Sequence, residues 1–191
     1  MKTKYLLGSL ALALGLLTAK ADIIPSLSSI AADGTGFRWN YSVNVTVDQM
    51  VVTGDFFTIY DFGSIRPGSN VQPANWVFST SLTGVTPPGV LPTDNPNLLN
   101  LTWTYVGTTP IVGQAFLGIF SAVSSTNQIS TANFAAQATR STGPQAGTKI
   151  SNIGLVSVPV PEMSALAPII GVCGLGFIGV FSSMLRRRNA S

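Results

Sequence analysis

An all-β fold, an antiparallel β-sandwich ectodomain carried between two apolar ends, is the architecture this sequence predicts. Three observations carry it. From Phe37 to Val47, the residues Phe37, Trp39, Tyr41, Val43, Val45 and Val47 alternate with Arg38, Asn40, Ser42, Asn44 and Thr46, the period of a strand with one buried face. Further short apolar segments are cut at regular intervals by Gly, Pro, Asn and Asp. No segment between the two ends sustains a helical period.

In chain order the expected strands are 37–47, 49–53, 56–61, 76–82, 99–106, 115–123, 133–139 and 149–156. The segment 133–139, NFAAQAT, would also tolerate a short helix. Residues 84–96 hold Pro87, Pro88, Pro92 and Pro96, which cannot donate to a ladder, and are expected to form a surface connection. Eight short strands in one unit of ordinary domain size favour a sandwich, placed at residues 22–157.

Residues 1–21 begin with two lysines, continue with an apolar run from Tyr5 to Leu17, and close on Ala19-Lys20-Ala21. That is the layout of a secretory signal peptide, with small side chains at Ala19 and Ala21 where signal peptidase has tight pockets. Cleavage after Ala21, following export by the Sec translocon, is the expectation. An uncleaved anchor is the alternative, but a span needs about 20 apolar residues.

At the other end, residues 165–185 carry no charge and are long enough as a helix to cross a bilayer core. The glycines within them are tolerated in lipid, and Pro168 falls near the first turn. Arg186, Arg187 and Arg188 open the basic tail, 186–191, and would hold that end in the cytoplasm. A single C-terminal transmembrane helix is therefore expected, with the ectodomain exported. Cys173, the one cysteine, falls inside it.

Ahead of the span stands Val158-Pro159-Val160-Pro161-Glu162-Met163. This order of a Pro-Glu motif (158–164), a glycine-rich span and an arginine cluster resembles the PEP-CTERM sorting signal of Gram-negative bacteria. Pro161 and Glu162 match the first two motif positions, and Met163 stands where a second proline is usual. The resemblance covers about 30 residues, 158–191. It implies a partner, an exosortase-type membrane transpeptidase that recognises the motif, cleaves the tail and transfers or releases the protein. Transient anchoring, then display at the cell surface or release outside the cell, follows from it. An unprocessed tail anchor is the alternative.

Composition excludes several chemistries. There is no histidine, and residues 22–157 contain no cysteine, so imidazole metal sites, Ser-His or Cys-His nucleophiles and disulfide frameworks lack their residues. The same residues hold four cations (Arg38, Arg66, Arg140, Lys149) against six aspartates, which does not suit a nucleic-acid partner. Asp55 and Asp61 bracket one strand and would stand about 20 Å apart, too far to form a catalytic pair. Asp55 follows Gly54 and reads as a turn residue. Asp48 and Asp55 could share a calcium ion if residues 49–53 formed a hairpin arm, with few oxygens to complete the set.

No enzymatic activity, catalytic residue, metal or cofactor is expected, and the ectodomain reads as a structural or adhesive module of the cell surface or extracellular matrix. The alternative is a carbohydrate-binding module acting in exopolysaccharide, which needs Trp39, Trp76, Trp103, Tyr41, Tyr60 or Tyr105 exposed on one side. Their spacing favours the core instead. A hydrolase using Asp and Ser alone would need two aspartates within about 10 Å in a cleft.

Overall fold

The computed structural model describes residues 23–161, and these form ten strands and no helix. They are β1 (Ile23–Asp33), β2 (Gly36–Val45), β3 (Gln49–Val51), β4 (Phe56–Phe62), β5 (Trp76–Ser81), β6 (Leu99–Tyr105), β7 (Ile111–Val112), β8 (Ala115–Ser124), β9 (Ile129–Arg140) and β10 (Lys149–Pro159). A three-stranded antiparallel sheet, β1-β2-β8, faces a seven-stranded one. In the larger sheet β9 carries β10 along one edge and, along the other, β4 and then β3. β6 and β5 extend it beyond β4, and β7 pairs with β3. All eight expected strands are present, and residues 133–139 are strand. Two strands, β1 and β7, were not expected.

The alternation in β2 ends earlier than the residue pattern suggests. Trp39, Tyr41, Val43 and Val45 are buried, but the strand stops at Val45, and Val47 is 62% exposed in the turn to β3. Asp48 takes a left-handed conformation in that turn, which breaks the period of two.

The core is a cross-sheet aromatic cluster. Phe120 of the smaller sheet meets Phe57 edge-on at 5.0 Å and Trp76 at 5.0 Å, while Phe57 stacks on Trp103 at 5.1 Å. These offset and edge-on geometries suit the ring quadrupoles and add to the large area each ring buries. β4 is buried on both faces. Phe57 and Ile59 face the core, whereas Thr58 and Tyr60 both donate their hydroxyls to the Val85 carbonyl at 2.9 Å. The proline-rich connection thus covers the outer face of the sheet, and the burial it imposes pushes the Tyr60 hydroxyl above the usual tyrosine range, opposed by the hydrogen bond with Thr86.

At the β1–β2 turn, Asp33 receives Arg38 Nε at 2.8 Å and Arg66 at 3.2 Å, which ties the hairpin to the segment after β4. The Arg38 hydrogen bond above all, with both guanidinium charges, holds the Asp33 carboxyl below the ordinary aspartate range. A depressed native pKa contributes stability that is complete above the unfolded value, about 3.9, and disappears as pH falls through the native one. Urea unfolding of Asp33→Asn should therefore show its largest deficit against the parent near neutrality, with the two curves converging below about pH 4.

Candidate functional site: the junction of the last strand with the Pro-Glu segment

β2 runs the length of the smaller sheet and gives the molecule two ends. Ile23, Val45 and Ala115 lie at one, and Asp33, Gly36 and Ser124 at the other. The eight strand steps from Phe37 to Val45 separate them by about 26 Å. The chain enters the fold at Ile23 on the first end, two residues after Ala21, and leaves it at the second.

The exit is tightly held. β10 pairs with β9 in unbroken register from Lys149↔Thr139 to Pro159↔Ile129. Beyond the strand, the Val160 amide donates to the Gln128 carbonyl at 2.9 Å. The smaller sheet reaches across to the same place: Tyr41 donates its hydroxyl to the Ser157 carbonyl at 2.9 Å, and Trp39 Nε1 donates to the Thr126 carbonyl at 3.0 Å. Burial pushes the Tyr41 hydroxyl far above its usual range, so it remains a donor throughout the physiological range.

Gly63 makes this exit possible. A Cβ there would lie 2.7 Å from the Val160 carbonyl oxygen and 2.8 Å from that of Pro159. Both contacts are with backbone, which cannot swing aside. The Gly63 carbonyl in turn accepts the Ser124 hydroxyl at 2.8 Å. Gly63→Ala is expected to destabilise the domain by about 1–3 kcal/mol and to pry the end of β10 loose. The check is amide hydrogen exchange, which should accelerate at Val160 far more than in the middle of β10.

The start of the motif is therefore part of the folded unit, which was placed at residues 22–157 from the sequence. Val158 and Pro159 belong to the sheet, and Val158 is 1% exposed, so the folded unit continues past Ser157. Pro159 is accommodated because, among the described residues, β10 pairs with β9 alone, and an edge strand needs no donor on its outer side. Val160 and Pro161 are half-buried. Glu162, Met163, Ala19, Ala21, the expected span at 165–185 with Cys173, and Arg186, Arg187 and Arg188 lie outside the described residues.

The aspartates and aromatics weighed from the sequence have defined places. Asp55 closes the turn after β3, where its amide donates to the Val52 carbonyl at 2.9 Å and Gly54 takes φ +89°, as a turn residue should. Its carboxylate is completely buried and paired with Lys149 at 2.5 Å, with Thr139 and the Val52 amide each donating to it at 2.9 Å. Local sequence could not show Lys149 arriving from the start of β10. Asp48 accepts Thr142 at 3.1 Å. Asp61 and Asp94 are linked through Asn100, which accepts the Asp61 amide and donates to the Asp94 carboxylate, both at 2.9 Å. Among the described residues, no three acids, cysteines or histidines gather as a metal site.

Trp39, Trp76, Trp103, Tyr41, Tyr60 and Tyr105 are all buried, so none offers an exposed ring for stacking on sugar. A surface depression of about 410 Å³ lies between Asn44–Val47 and Gln114–Phe116 at the entry end, with Phe116 59% exposed. No protein-family model, curated protein or solved structure matches this chain.

Proposed function

We propose that this protein is an exported, noncatalytic component of the cell surface or extracellular matrix with a structural or adhesive role. On this reading a signal peptide directs it through the Sec translocon and is cleaved after Ala21. The chain then halts in the inner membrane by the span at 165–185, and an exosortase-type transpeptidase processes the motif. The observation that carries the reading is the junction itself: the sheet delivers Pro161 directly to Glu162, so a compact cargo abuts the sorting signal. The noncatalytic part is supported by the disposition of the carboxylates. Asp33 and Asp55 are held in ion pairs, and Asp61 and Asp94 are engaged with the neighbouring asparagines.

Fractionation of cells producing three forms tests it. The parent chain should reach the surface or medium, a variant with Pro161→Ala and Glu162→Ala should accumulate in the inner membrane, and a chain ending at Glu162 should be released. A parent chain that stays in the cytoplasm, or a truncated chain as membrane-bound as the parent, would overturn the proposal.

A further inference from the structure

We infer that, before processing, the exit end of the sandwich rests on the phospholipid headgroups of the membrane that holds the tail, and that the opposite end faces outward. This rests on the proposed span at 165–185. Its new content is the orientation, and it comes from tether length. Val160 is pinned to Gln128, so only residues 161–164 separate the folded unit from the span. Four residues reach at most about 14 Å when fully extended. The headgroup layer on one side takes up about 5–7 Å of that. What is left is small beside the breadth of a sandwich whose two sheets alone stack about 10 Å apart, so the domain cannot stand clear of the surface.

The residues at this end suit such a contact. Arg66 projects there with its side chain 43% exposed, and Ile129, beside Pro159 in the ladder, is 59% exposed. The Asp33 carboxylate at this end is already occupied by Arg38 and Arg66, so it does not present an unpaired negative charge to the lipid. A guanidinium and an exposed aliphatic side chain at the same end of the sandwich match an anionic phospholipid surface, where phosphate oxygens lie above the first methylenes. The depression bordered by Val47 and Phe116 then points away from the membrane, about 26 Å further out.

Site-specific quenching tests the orientation. The chain from Asp22 to Ser191 carrying Cys173→Ser is reconstituted in vesicles of phosphatidylethanolamine and phosphatidylglycerol that include a headgroup-nitroxide lipid. Single cysteines are introduced at exposed positions, Thr35→Cys and Asn127→Cys at the exit end and Asn44→Cys and Gln145→Cys at the entry end, and labelled with a fluorophore. Both exit-end labels should be quenched about threefold or more over both entry-end labels, because a headgroup layer of about 5–7 Å reaches only the first pair. Co-flotation of the chain with vesicles but equal quenching at the two ends would overturn the orientation alone. A chain that does not float with the vesicles would overturn both the orientation and the membrane span on which it rests.

Discussion

Trp103→Ala should cost about 4 kcal/mol of unfolding free energy, read as a shift in the denaturant midpoint, because it empties the centre of the aromatic cluster. Trp103 stacks on Phe57 at 5.1 Å, meets Phe120 at 5.7 Å and Phe78 at 5.1 Å, and is completely buried. Three large rings around the vacancy cannot collapse into it without leaving their own partners. Trp103→Phe should be much milder. The indole Nε1 is buried without a hydrogen-bond partner, so its removal relieves an unmet donor while most of the ring area stays. A phenylalanine variant as unstable as the alanine one would show that the indole is satisfied in solution.

Lys149→Met is expected to cost about 3 kcal/mol, since it leaves the Asp55 carboxylate without its counter-ion in a site that excludes water. The figure sits at the low end for a broken pair because the lysine side chain is 44% exposed and part of its charge is already hydrated. Adding Asp55→Asn should recover much of the loss. The amide oxygen can still accept from the Val52 amide and Thr139, and no buried charge remains. Equilibrium unfolding of the two single variants and the double variant gives the coupling directly. If the single Lys149→Met change were silent, the carboxylate would have to find another counter-charge.

What could be read in the sequence was local. β2 announces itself because one face meets the core, so the alternation at Trp39, Tyr41, Val43 and Val45 is clean. β1 does not, because it is an edge strand whose central residues are largely open to solvent. Only Ile23 and Pro25 of its residues are buried, and IIPSLSSIAAD has no period of two. The first part of β9 was missed for the same reason: Ile129 is exposed, and the pairing that makes residues 129–132 a strand comes from β10. Pro159 at the start of the motif suits the extended chain in which β10 ends. Whether that chain is free or paired depends on Gly63, Gln128 and Tyr41, all distant in sequence. Gly54-Asp55 was legible as a turn, whereas the ion pair to Lys149 spans 94 residues and leaves no local trace.

The most direct measurement is the intact mass of the protein recovered separately from cell envelope and culture medium. A polypeptide beginning at Asp22 and ending within the motif, close to Glu162, is the expected result, with or without the mass of whatever molecule receives it in transfer. Recovery of a chain that still carries Arg186, Arg187 and Arg188 in every fraction would contradict processing at the junction and leave the domain a permanently tethered one.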